Sequence, residues 1–284
     1  MLTTVTVAID QSPAADRAIP PAVRLARALG ATVELISLVA PGTSSMSERA
    51  SLDERVATLG DVPTRVRIIE SVAFGQTLAD WGAREGRLLC LSTRGRGALG
   101  TAVFGSVAAD VAHAAMTPFL MVGPDVDIDV GDPFSSIIGC VDGSEPMSVI
   151  ADTIVDLRSA LDASVYVVTV DRPGPISVLP GPKAFDPVDR AFAALHDRGC
   201  HAHRALLEEK DVAGSIASFA FTQSTPLLVV GTRQRGKLTR AALRSGALEI
   251  IQRSPVPVLV VPFGRAAQRC HTARRARSID HVET

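Results

Sequence analysis

The sequence predicts two tandem doubly wound α/β domains, each a parallel β-sheet with helices on both faces. Three observations carry this expectation. Short β-branched runs alternate with longer helical ones, the short runs are apolar along their length, and the whole pattern occurs twice. Parallel neighbours need a long crossover, which the helices supply, and strands buried on both faces must be apolar throughout.

The elements of the first half can be taken in order. VTVAI (5–9) is the first strand. PAADRAIPPAVRLARAL (13–29) then places Ile19, Val23, Ala26 and Leu29 at helical spacing. Ser12 is the better cap for that helix, ahead of Asp10, because a short hydroxyl side chain reaches the free amides of the first turn. Next come the strand TVELISLV, a helix through SERASLDERVATL, the strand TRVRII and the helix QTLADWGARE. The strand RLLCLS, the helix GSVAADVAHAAM and the strand PFLMV complete the unit.

The second half repeats the first. VTVAIDQS (5–12) matches IIGCVDGS (137–144), with Asp10 over Asp142, and LGATVELISLV (29–39) matches LDASVYVVTVD (161–171), both at an offset of 132. STRGRGALGTAVFGSV (92–107) matches GTRQRGKLTRAALRS (231–245), and TPFLMVGP (117–124) matches VPVLVVPF (256–263), both at an offset of 139. One change of seven residues within the repeat is what a duplication with a single length difference leaves behind. PDVDIDVGDPF (124–134) reads as the connection. The expected organisation is a domain at 1–124, a linker at 125–134, a second domain at 135–264 and a polar, arginine-containing tail at 265–284.

Composition excludes several functions. A net charge of −1 argues against a non-specific nucleic-acid binder, which needs a basic face to release counterions. Aromatic residues are 4% of the chain, too few for a base-stacking platform. No apolar run approaches the roughly 20 residues of a membrane span, and MLTTVTVAID has neither a basic leader nor a cleavage site, so the expectation is a cytoplasmic, soluble protein. Cys90, Cys140, Cys200 and Cys270 are widely spaced, as reduced thiols are.

Three motifs compete for the loop glycines. Gly95, Gly97 and Gly100 spell GxGxxG, but after the fourth strand and with no acid closing the next one, so the dinucleotide fingerprint fails. GTRQRGKL (231–238) approaches a P-loop and fails at Leu238, where a hydroxyl for magnesium is required. The third motif explains more: Gly95, nine residues, then Gly105-Ser106 opening a helix. Gly95 permits close backbone approach, and the helix start offers free amides where the dipole favours anions. Asp10, ending the first strand, would face this loop across the switch point, where a carboxylate can accept ribose hydroxyls.

VAID, CVDGS, the G-x2-G-x9-G-[ST] loop spacing and the closing PFLMV and PVPVLVV strands together resemble the universal stress protein family, over nearly all of 1–263. The resemblance implies a five-stranded sheet of order 3-2-1-4-5 in each copy, and ATP, alone or with magnesium, as the cofactor. It implies that Ala8, Ile9 and Asp10 lie along adenine and ribose, with Leu38 on the adenine face. Leu91 and Ser92 would flank base and ribose, Gly95, Gly105, Ser106 and Val107 would hold phosphates, and Arg96 would belong to the same cofactor-binding set. Two departures stand out: Ser92 replaces the loop's first glycine, and Gln11 replaces the glycine kept as Gly143.

The second copy keeps Asp142, Val170, Gly231 and Ser245, but Gln234 and Arg244 fill the positions of Gly95 and Gly105. A Cβ there hinders backbone approach, so this site is expected to be weaker or lost. Neither a Ser–His–Asp nor a Cys–His arrangement can be placed, and the expectation is a nucleotide-binding stress-response regulator with a protein partner, not an enzyme beyond slow ATP hydrolysis. An interaction scaffold that binds no nucleotide is the alternative. Cys200, His201 and His203 have soft-metal ligand types without an evident further ligand. The resemblance also implies antiparallel pairing of the two final strands within the chain, with homodimerisation of whole chains as another use of those strands.

Overall fold

A computed structural model of the chain describes residues 2–93, 105–130, 133–171, 187–208, 210–233 and 246–264. The first half runs β1 (Thr4–Ala8), α1 (Pro13–Asp16), α2 (Ile19–Leu29), β2 (Thr32–Val39), α3 (Met46–Val56), β3 (Thr64–Glu70), α4 (Phe74–Gly82), β4 (Arg87–Ser92), α5 (Ser106–Ala114) and β5 (Phe119–Val122). The second runs β6 (Ser136–Cys140), α6 (Met147–Leu161), β7 (Ser164–Asp171), α7 (Pro187–His196), β8 (His203–Glu208), α8 (Val212–Phe221), β9 (Pro226–Arg233), α9 (Gly246–Arg253) and β10 (Val258–Phe263).

The strands form one ten-stranded sheet of order β3-β2-β1-β4-β5-β10-β9-β6-β7-β8. Each half therefore has the 3-2-1-4-5 order, and every neighbouring pair within a half is parallel. At the centre β5 and β10 pair antiparallel, with Leu120 opposite Leu259. This changes the dimer expectation. Both final strands are flanked on each side within one chain, so neither has a free edge for a second copy.

Each face of the sheet carries a core shared by both halves. Val5, Val7 and Leu25 join Ile137, Ile154 and Val261 on one side. Leu89, Leu91 and Met121 join Ile138, Val230 and Ile251 on the other. The segment read as a linker is built into the first of these: Val126 and Phe134 are buried, Arg24 stacks over the Phe134 ring at 4.1 Å, and the Asp127 amide donates to Pro255 O at 3.0 Å. Gly123, just beyond β5, meets α9 so closely that a Cβ there would stand 2.2 Å from Ile251 O.

Two expectations need correction. The helix expected over 13–29 is two helices, because Pro20 and Pro21 lack amide protons and fit only the first turn of a helix, so the chain restarts at Ile19. The strands are also not all apolar. β3 exposes Arg65 and Arg67 on alternate residues, which suits an outermost strand that must not recruit another chain. β2 carries Glu34 in its apolar run, fully buried, accepting from Thr6 Oγ1 (3.2 Å), from Trp81 Nε1 (2.8 Å) and from Arg87 Nη1.

Candidate functional site

Strand order reverses between β1 and β4, so the loops leaving their C-terminal ends diverge and open a crevice. The β1–β2 ladder extends one residue past β1, where the Ile9 amide donates to Ile36 O at 2.8 Å. The chain then turns at Asp10, whose Oδ1 accepts from the Ser12 amide (3.0 Å) and the Ser12 hydroxyl (2.6 Å). Ser12 Oγ in turn accepts from the Ala15 amide at 3.1 Å and caps α1, as its chemistry predicts.

On the other side, Leu91 and Ser92 end β4 opposite Met121 and Val122. The Gly105 amide donates to Thr93 O at 2.8 Å, which brings the start of α5 back to the end of β4. Gly105 has ordinary extended backbone (φ −63°, ψ 152°), so glycine is not needed there for its backbone freedom. What it supplies is an N-cap without a side chain. Among the described residues no side chain caps the first turn of α5, and amides left free at a helix start suit an anion.

The structure brings the expected side chains together in part. Ala8, Leu38, Leu91 and Val107 all pack on one core, so they line one side of the sheet. Ile9 points into the opposite core, leaving only its backbone for the crevice. Ser106 is exposed at the helix start. Gly95 and Arg96 lie outside the described residues, as does Ser245.

Two polar atoms here went unassigned in the sequence. Among the described residues, Thr93 Oγ1 is buried with no hydrogen-bond partner, and so is Gln11 Nε2. Gln11 also sits at φ 65°, a conformation that suits glycine and that its counterpart Gly143 adopts at φ 85°. Orphaned polar atoms and backbone strain are features that collect at binding sites. The only signal in the sequence was the mismatch with Gly143. Replacing Gln11 by glycine should raise the unfolding midpoint in urea, by about 1 kcal/mol of stability, because the relieved strain exceeds the added freedom of the unfolded chain.

The equivalent crevice lies between β6 and β9. Asp142 Oδ1 accepts from the Ser144 amide at 2.8 Å, the counterpart of the Asp10–Ser12 turn. Val170 packs beside β8, and Gly231 lies opposite Val261. A residue with no part in the sequence reading intervenes: Glu145, 7% exposed, whose Oε1 accepts from the Asp142 amide at 3.1 Å. Burial, then the hydrogen-bonded Asp142 carboxyl, push Glu145 up to about 7. Burial pushes Asp142 up too, but bonds from Glu145 and Ser144 and the Arg233 charge outweigh it and hold Asp142 below the usual carboxylate range.

The remaining candidates do not assemble. Cys200 Sγ approaches His201 O at 3.8 Å, and His203 stacks on Tyr166 with ring centroids 5.1 Å apart. Cys90 and Cys140 are buried thiols whose ionisation burial suppresses, Cys140 being pushed up to about 12.

Comparison with known proteins follows the same division of the chain. The model of the universal stress protein family matches residues 1–123 and again 133–262. No curated protein matches. Among solved structures, a universal stress protein from Archaeoglobus fulgidus superposes with a TM-score of 0.67 at 14% identity, over 92% of this chain and 97% of that one. A functionally unknown protein from Pseudomonas aeruginosa gives 0.61 at 16% identity, over 97% and 98%. The cytoplasmic domain of a prokaryotic cation chloride cotransporter gives 0.51 at 12% identity, over 95% and 100%. These likenesses share the fold.

Proposed function

We propose, from the premise that this chain belongs to the universal stress protein family, that it binds ATP or a related adenine nucleotide between β1 and β4 of its first half. The observation that carries this reading is the start of α5: an uncapped first turn held against the end of β4 by the Gly105–Thr93 bond. A phosphate chain would rest on those amides. The apolar wall of Ala8, Leu38, Leu91 and Val107 suits a base, and Asp10 would accept ribose hydroxyls. The residues fit the group in a further respect, since Gln11 Nε2 and Thr93 Oγ1 are buried polar atoms without a partner among the described residues. Binding would change the conformation of the loop after β4 and so report nucleotide status to a partner protein.

We read the chain as a regulatory binder in the cytoplasm and not as an enzyme. Phosphoryl transfer rests on positioning and charge stabilisation around a placed nucleophile, and no described residue has a geometry that would activate one. Among the described residues no helix is long and apolar enough to cross a membrane.

The test begins with protein purified without added nucleotide, denatured, and its released nucleotide counted by mass spectrometry. About one adenine nucleotide per chain is expected, and none from Gly105→Arg, whose side chain would fill the cradle and occupy the amides. Calorimetry with ATP should show the same loss. A second reading has support in Ser92, which stands where the loop's first glycine would be, and in the occurrence of this fold in a cotransporter's cytoplasmic domain. No released nucleotide and no ATP heat would leave that reading, an interaction scaffold, in place.

A further inference from the structure

We propose that the outer edge of β3 docks an acidic, extended segment of a partner protein, which adds a strand there and sets carboxylates opposite Arg65 and Arg67. The inference stands apart from the nucleotide reading and draws on neither crevice.

β3 is the last strand at its end of the sheet, so among the described residues one row of its amides and carbonyls has no strand to pair with. Its side chains alternate between the two faces. Val66 and Ile68 pack against the core on one face. Arg65 and Arg67 are exposed on the other, where Arg65 stands opposite Glu34 in the ladder. That single carboxylate does not neutralise them. Glu34 is wholly buried and already accepts from Arg87 Nη1, Trp81 Nε1 and Thr6 Oγ1. Arg67 Nε reaches Glu34 Oε1 only at 3.5 Å, from a side chain 52% exposed. Inward of the edge, the Arg84 and Arg87 guanidinium groups lie 3.7 and 5.0 Å from the centroid of the Trp81 ring, so the whole flank is rich in arginine. The exposed acids nearest along the chain are Glu85 and Asp80, and Asp80 is engaged by Gln76 Nε2 at 2.8 Å.

The opposite end of the sheet lacks this charge. The pairs Tyr166–His203 and Val168–Ala205 match Glu34–Arg65 and Ile36–Arg67, so His203 and Ala205 hold the two arginine places in β8. Tyr166 stands where Glu34 stands, stacks on His203 and meets Phe219 edge-on. Arg204 of β8 falls on the other face and is held by Asp189 of α7 at 2.6 Å. An edge of this sheet can therefore be formed without arginines at those two places, and their presence on β3 selects a partner. Like charges directly opposite each other weaken a strand pair, so Arg65 and Arg67 turn away a second copy of β3 and any basic strand. The same positions favour a strand with acids at alternate residues. Its intervening apolar side chains would extend the surface of Val66 and Ile68. Main-chain bonds give such an addition its affinity, and the alternate side chains give it selectivity.

The test uses the full chain and a short synthetic peptide in which Glu alternates with Val. One control peptide has Lys in place of Glu, and another gathers the same Glu residues at one end. Binding is read from the fluorescence of Trp81, the one tryptophan of the chain, and from hydrogen exchange of the β3 amides. The alternating acidic peptide should bind and protect β3, and each control should bind about tenfold more weakly. Arg65→Glu should weaken the acidic peptide about fivefold and strengthen the lysine peptide. Arg67→Ala, which leaves Glu34 its bond from Arg87, serves should the first variant not fold, and should also weaken the acidic peptide. Refusal of the acidic peptide, equal binding of a control, protection away from β3, or an affinity unmoved in a folded variant would overturn the proposal. So would binding of a single-stranded oligonucleotide or of phosphatidylserine vesicles with the peptide refused, or self-association of the chain through β3.

Discussion

Glu34→Ala is expected to cost the fold about 3–5 kcal/mol, because it leaves the Arg87 guanidinium buried without its counter-charge. Glu34 is fully buried, and the Arg87 side chain is only 13% exposed. Arg67 adds a longer contact to Glu34 at 3.5 Å. Burial alone would raise the Glu34 carboxyl. The hydrogen bonds from Arg87, Trp81 and Thr6, with the Arg87 charge, outweigh it and hold the group below the ordinary carboxylate range. A carboxyl lowered on folding contributes stability above its unfolded value and loses that contribution as pH falls through the folded one. Wild type should therefore lose stability in acid faster than Glu34→Ala does, measured by urea unfolding across that range. The double variant Glu34→Leu with Arg87→Met should recover most of the loss, since an apolar replacement of a whole buried pair is often neutral. If the double variant were as unstable as the single, packing and not charge would be the cause.

The second large effect is expected at the seam between the halves. Gly123→Ala should cost up to about 3 kcal/mol, the upper end for overpacking, because the atom in the way is the Ile251 carbonyl and not the tip of a flexible side chain. Relief requires α9 to move off β5, and β5 is the strand that joins the halves through β10. The loss should appear in urea unfolding, together with faster proteolysis of the 124–134 segment, which α9 and its following turn help hold in place. Gly246→Ala is the control. It lies at the start of the same helix with no described atom within 4 Å of its added Cβ, and it should change stability by less than about 0.5 kcal/mol.

Much of this architecture was legible in the sequence because its rules are local. Alternating strand and helix runs imply the parallel sheet, the repeated DxS turn places Asp10 and Asp142 at equivalent strand ends, and Ser12 announces its cap. The α1–α2 break was also within reach, since Pro20 and Pro21 cannot occupy a helix interior. What stayed hidden depends on contacts between distant segments. Glu34 looks like a lapse in an apolar strand until Arg87 and Trp81, far along the chain, close around it. Glu145 looks like a solvated loop acid, and only the meeting of β6 with β9 shows that it is buried. Gln11 gave a faint sign, being a poor residue for a position its copy fills with glycine.

The antiparallel join at β5 and β10 has a consequence for layout. Strands of the first half run one way along the sheet and those of the second run the other way, so the carboxyl ends that form the two crevices emerge at opposite rims. The molecule is two-ended. A protein docking at the rim of the first crevice leaves the far rim uncovered, and sequence drift at one rim leaves the chemistry of the other untouched. A single central ladder thus sets the two crevices on opposite rims of one sheet, each open to a recognition task of its own.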